Sequence, residues 1–133
     1  MTKRDLLQVG ELYRRKKAYE DMIERIQASA MRVTANLTGM PRGNQYRDAM
    51  AEYIVKLDAA ERTLGDILAE LTETIARCEE CIRRLPPPEA AVIWMRYIEG
   101  KEWKRIRREI PYSERMIFYH HSSALKKLAG MKP

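Results

Sequence analysis

Pro88-Glu-Ala-Ala-Val-Ile-Trp-Met-Arg-Tyr-Ile-Glu-Gly100, Lys101-Glu-Trp-Lys-Arg-Ile-Arg-Arg-Glu-Ile110 and Pro111-Tyr-Ser113 follow one another in the last third of the chain. A helical pattern then runs from Glu114 to about Leu128. Trp103, Ile106 and Ile110 recur at helical spacing, so they share one face. Pro111 ends that helix, because the residue before a proline avoids the α region. Ser113 follows in position to cap the next helix through its hydroxyl. Ile117, Ala124, Leu125 and Leu128 form the apolar stripe of this last helix. Two short helices joined by a tight turn, the second bearing outward polar and aromatic groups, match the helix-turn-helix geometry that enters a major groove.

The charge is concentrated in the same region. Residues 86–133 hold ten Lys and Arg against five Glu, whereas residues 1–85 hold fifteen against fourteen acids. Almost the whole formal excess of +6 therefore lies on the last third of the chain. A basic module beside a near-neutral one points to a polyanionic partner.

Residues 1–85 carry a heptad signal. Tyr19, Ile23, Ile26, Ala30, Val33 and Leu37 alternate at spacings of four and three. Met50, Ile54, Leu57, Glu61, Leu64, Leu68, Leu71, Ile75, Cys78, Ile82 and Leu85 continue the alternation. Only Glu61 breaks the apolar run, and Ala60 beside it is available to fill the seam. Such repeats pack helix on helix. The segment Thr38-Gly-Met-Pro-Arg-Gly-Asn44 joins the two patterns. Gly39 can end the first helix in the left-handed region, and Pro41 prevents continuation. The expected N-terminal part is an antiparallel helical hairpin that dimerises, since a two-helix hairpin needs a third layer; the alternative is a monomer whose hairpin packs against its own helix-turn-helix. Leu85-Pro86-Pro87-Pro88 reads as a stiff spacer, with Pro88 in the first turn of the next helix. The expected fold is thus all-α, with a coiled-coil-like hairpin over 1–85 and a helix-turn-helix over 86–133.

The run from Leu85 to Leu128 resembles region 4 of bacterial sigma factors. The residues that carry the resemblance are Met95-Arg96-Tyr97, Trp103-x-x-Ile106, Tyr112-Ser113-x-Arg115 and Ala124-Leu125-Lys126-Lys127-Leu128. It is similar, more closely, to the small region-4-like proteins of phages and prophages, including the ArpU- and RinA-type late transcription regulators. Gly39-Met40-Pro41-Arg42-Gly43 and His121-Ser-Ser-Ala124-Leu125 extend the likeness over nearly the whole chain. Nothing in the chain resembles the segment with which a sigma factor melts the −10 element. The resemblance implies a sequence-specific double-stranded DNA-binding regulator of transcription, with RNA polymerase as a possible partner.

The resemblance assigns base reading to Glu114, Arg115, Phe118 and Tyr119. Ser113 and Ser122, on the same outward side of the helix, complete the expected base-reading set. Arg115 has the fork that reads guanine, Glu114 can accept from cytosine N4 or orient Arg115, and Phe118 can meet a thymine methyl. Phe118 has a second reading as a core or interface residue. Lys101, Lys104, Arg105, Arg107 and Arg108 lie on or beside the first helix of the motif, where phosphate contacts set register without reading sequence. His120 and His121 point about 100° apart on a helix. His120 falls half-buried against the preceding helix, and His121 has a hydrogen bond within the fold or to a phosphate.

Several classes are set aside. Cys78-x-x-Cys81 lacks the second ligand pair of a structural zinc site and the context of a redox motif, and reads as two small side chains in a packing seam. No nucleophile–base set, paired carboxylates or phosphate loop is present, so neither catalysis nor a cofactor or metal is expected. The longest apolar run, Ala90–Met95, is far short of a membrane span, and the N-terminus lacks a secretory apolar region, so the expected location is cytoplasmic. Two other classes fit the layout: a ring-forming packaging protein resembling a terminase small subunit, and a module that binds RNA polymerase with little DNA affinity. Solution mass separates the first, and polymerase capture without DNA separates the second.

Overall fold

The computed structural model describes residues 1–37 and 43–132, with the side chains of 33–37 and 43–44 excepted. All regular structure among them is helical, in five helices. These are α1 (Lys3–Leu37), α2 (Gly43–Ile82), α3 (Pro87–Ile93), α4 (Trp103–Glu109) and α5 (Glu114–Ala129). The expected connection at Thr38–Asn44 lies, over residues 38–42, outside the described residues.

Local chemistry sets the helix ends. The Asp5 carboxylate accepts from the Thr2 backbone N–H at 2.8 Å and from the Thr2 hydroxyl at 3.2 Å, which caps the start of α1. The hydrogen bond from the Thr2 backbone is the main reason the Asp5 carboxyl lies below its ordinary range. At α3, Pro86 is the extended cap residue, while Pro87 and Pro88 already belong to the helix. The three prolines are therefore not an extended spacer. A proline in the first turn sacrifices no hydrogen bond and has its φ preset, so two of them start α3 instead.

The seam of α2 differs in register from the sequence expectation. Ala60, Ile67, Leu71, Thr74, Cys78, Cys81 and Leu85 are buried, and Tyr53, Leu57 and Leu64 are half-buried. These positions keep the four–three alternation without a break. Leu57, Leu64, Leu71, Cys78 and Leu85 are common to both registers, and Ile82 is also buried, as the sequence expects. Ile54, Glu61, Leu68 and Ile75 each give way to the residue before. Glu61 is the cause: a carboxylate without a partner resists burial, and Ala60 takes the place. Thr74 is tolerated in the seam because its hydroxyl donates to the Glu70 carbonyl at 2.7 Å. Cys78 and Cys81 are free and fully buried in this seam, and burial pushes the Cys78 thiol up to about 11.

The chain divides into two compact units, Met1–Tyr13 with Glu70–Pro133, and Arg14–Ala69. In the first unit one core joins Leu6, Val9 and Leu12 of α1 to Cys78, Cys81 and Ile82 of α2, Ile93 of α3, and Ala124 and Leu128 of α5. Leu85, buried at the proline segment, belongs to the same core. The packing therefore runs through the Pro86–Pro88 position at which the sequence suggested a boundary. In the second unit, residues of α1 and α2 line a common trough of about 300 Å³.

Candidate nucleic-acid interface

A smaller core of Val92, Ile106 and Ile117, flanked by Met95, Trp103 and Ile110, fixes α4 against α3 and α5. The Trp103–Ile106–Ile110 face read from the sequence is the face that packs. Between α3 and α4 the helix widens over Trp94–Ile98, where the Glu99 N–H reaches the Trp94 carbonyl at 3.0 Å. Gly100 then turns with φ +69, and the Lys101 N–H bonds the Met95 carbonyl at 2.9 Å. A glycine is required there, because side chains are disfavoured in the left-handed region. α4 ends at Glu109, and Ile110 is extended, as Pro111 demands. The Ser113 hydroxyl accepts from the Met116 N–H at 3.3 Å and caps α5.

α5 buries Ile117, Ala124 and Leu128 and half-buries Leu125, as its stripe predicts. Ser113, Glu114, Arg115, Phe118, Tyr119 and Ser122 are all exposed on its other side. Tyr119 is 62% exposed. Phe118 is 40% exposed and its ring sits 5.0 Å from that of Trp103, so it belongs partly to the packing and partly to the surface. Met116, also exposed, adds an apolar group that the sequence reading did not single out.

The five cations assigned to phosphate are not equivalent. Lys101 is held between Glu99 at 2.7 Å and Glu109 at 2.6 Å, with its side chain only 18% exposed. Hydrogen bonds to Glu109 and Glu99 raise the Lys101 ammonium above its ordinary range, and those from Lys101 and Arg105 lower the Glu109 carboxyl. Arg105 also bonds Glu109, at 3.0 Å. Arg107 pairs with Glu114 at 3.1 Å, tying α4 to the first turn of α5. Lys104 and Arg108 hold no ion pair or hydrogen bond among the described residues, and neither does Arg115. Among the six cations assigned to DNA, these three can meet an anion without breaking an existing pair.

Two clusters behind this surface were missed by sequence reasoning. In the first, the Tyr97 hydroxyl oxygen lies 2.7 Å from His121 Nε2, and the rings stack at 5.7 Å. Trp103 meets His121 edge-on at 4.9 Å, and the Arg96 guanidinium lies 4.8 Å above Trp103. Burial, and then the charges of Lys3 and Arg96, lower the His121 pKa, which keeps the imidazole neutral. His121 is thus engaged within the fold. His120, half-buried, lies edge-on to Tyr112 and Tyr119. In the second cluster, Lys127 donates to both oxygens of the buried Glu89 carboxylate, at 2.8 and 3.1 Å, joining α5 to α3. Burial alone would raise Glu89, but hydrogen bonds from Lys127 and Ser123 outweigh it and hold the carboxyl low. Neither cluster has a short sequence signature, since its members are joined only by the fold.

No family model matches the chain, and no curated protein or solved structure is significantly similar to it. No helix among the described residues is long and apolar enough to cross a membrane.

Proposed function

We propose that the protein binds duplex DNA in a sequence-dependent manner, with α4 and α5 acting as a helix-turn-helix and α1 and α2 as a helical hairpin that carries the assembly. In this reading α5 enters a major groove and the protein regulates transcription, as the likeness to phage region-4-like proteins implies. The observation that carries the proposal is the exposed side of α5. It presents Glu114, Arg115, Phe118, Tyr119 and Ser122, and α4 adds the exposed Lys104 and Arg108, which hold no pair among the described residues. Polar and aromatic groups that touch base edges thus sit next to charges free for phosphates. Arg115 reads a guanine and Phe118 offers an apolar edge to a thymine methyl. Glu114 is oriented by Arg107, and Ser113 remains a cap rather than a reader.

The test is selection of bound sequences from a random duplex pool with the intact chain, followed by affinity measurement over a range of salt. A shared motif is expected. With about three phosphates neutralised per chain, log K should fall with log salt at a slope of about −3. Recovery of an unenriched pool, or binding indifferent to salt, rules the proposal out.

A further inference from the structure

We infer that copies of this chain associate head to tail through the Arg14–Ala69 unit, one copy's Ile54–Leu68 flank seating in the next copy's trough. The inference goes beyond DNA binding and does not depend on it.

The geometry follows from the seam. In α2 the seam passes through Tyr53, Leu57, Ala60 and Ile67. Residues one place before and one place after a seam position lie on its two opposite flanks, about 100° to either side. Ala49, Glu52 and Lys56 stand one place before seam positions and line the trough, and Met22, Arg25 and Ser29 do so on α1, beside Ile26, Met50 and Tyr53. Ile54, Glu61 and Leu68 stand one place after, on the flank turned away from the trough. There Ile54 is 59% exposed and Leu68 is 40% exposed. On α1 the same flank holds Glu20, Glu24 and Met31, the last 75% exposed.

The two flanks differ in charge. The trough side carries Arg15, Arg25, Arg32 and Lys56 against Glu52 and Asp66. The opposite side carries Glu20, Glu24, Asp58 and Glu61 against Lys17 and Arg47. Some of these are matched within their own helix, as Lys56 is with Glu52 and Asp58 with Arg62. Arg25 and Arg32 on one side, and Glu24 and Glu61 on the other, have no partner among the described residues. One apolar surface is therefore basic at its rim and the other acidic. Trough against trough, or flank against flank, would oppose like charges, whereas trough against flank pairs unlike ones. Gly65, whose Cα faces open space on the acidic flank, lets a neighbouring helix approach closely there. A contact of this kind uses two different patches, so it closes into a ring or runs on and does not stop at two copies, in place of the dimer expected from the sequence.

The decisive experiment mixes two surface variants of the full chain, Ile54→Asp and Met22→Asp, each checked for unchanged helical content by circular dichroism. Analytical ultracentrifugation of the unaltered chain should show species larger than two copies. Each variant alone should be monomeric. The equimolar mixture should give a one-to-one dimer that grows no further, because one intact patch of each kind remains. Association of the unaltered chain should weaken as salt rises. An unaltered chain that stops at one or two copies overturns the inference. So does a variant that still self-associates, a mixture that stays monomeric, or association strengthened by salt.

Discussion

Lys127→Met isolates the ion pair that fastens α5 to α3. The methionine keeps the length and apolar stem of lysine and removes only the charge. What remains is the Glu89 carboxylate, 4% exposed, with one of its two hydrogen-bonding neighbours gone. Breaking a buried ion pair costs about 3–5 kcal/mol, because the remaining charge is uncompensated. Here the lysine side chain is 47% exposed, so water already screens part of the attraction, and the lower end of that range or slightly less is expected, about 2–3 kcal/mol. For a chain of this size the loss corresponds to a fall in Tm of about 6–10 °C. The pH dependence gives the stricter test. In the unaltered protein the Glu89 carboxyl is held below its unfolded value, so the pair contributes above about pH 4.3 and is lost as pH falls through the folded value. In the variant, burial acts with less opposition and raises Glu89, so the folded state accepts a proton more readily than the unfolded one. The deficit of the variant should therefore be full at pH 7.5 and shrink towards pH 4.5. Urea denaturation followed by circular dichroism at both pH values measures it. Adding Glu89→Gln to Lys127→Met should recover part of the loss at neutral pH. A cost under about 0.5 kcal/mol at neutral pH, or an equal cost at both, would refute the reasoning that the pair is a buried clasp.

Three further outcomes are expected. Arg115→Ala should relax preference at one base pair and cost about 1–3 kcal/mol on a selected site, while Lys104→Ala and Arg108→Ala weaken all sequences alike; parallel loss of preference in all three would misplace the reading face. Leu71→Glu, in the buried seam, should cost several kcal/mol on the order of a buried unpaired charge, whereas Leu68→Glu should leave thermal stability nearly unchanged and affect only association. Because His121 is held neutral in the fold, the unfolded state takes up its proton first as pH drops below about 6.5, so stability should decline there; denaturation of His121→Phe across pH 7 to 5 should show a flatter dependence.

The helices and the outward side of α5 were legible because they rest on local rules. Pro111, Ser113 and the spacing of Ile117, Ala124 and Leu128 each act within a turn or two, and each is found in the structure as read. The register of α2 was half legible. Ile54 and Leu68 are as apolar as Ile67, and only the intolerance of a seam for Glu61 separates the two alternations. The ion pairs of Lys101, Arg105 and Arg107 were hidden in the basic stretch, where charge type shows but pairing does not. The pair of Glu89 with Lys127 was not legible, and for His121 a bond within the fold was readable as one of two readings but not its partners Tyr97 and Trp103. Their partners meet only after α3, α4 and α5 have packed.

Leu6, Val9 and Leu12 share a core with Ala124 and Leu128, which are synthesised more than a hundred residues later. The intervening Arg14–Ala69 stretch has its partners close by in sequence and can collapse first. The opening turns of α1 must then wait, with an apolar edge bare, until α5 has emerged. Long-range closure of this kind is slow, because the loop entropy is lost before the contacts form. The exposed face of α5 therefore becomes rigid only when Leu6, Val9 and Leu12 close onto Ala124 and Leu128, far away in sequence.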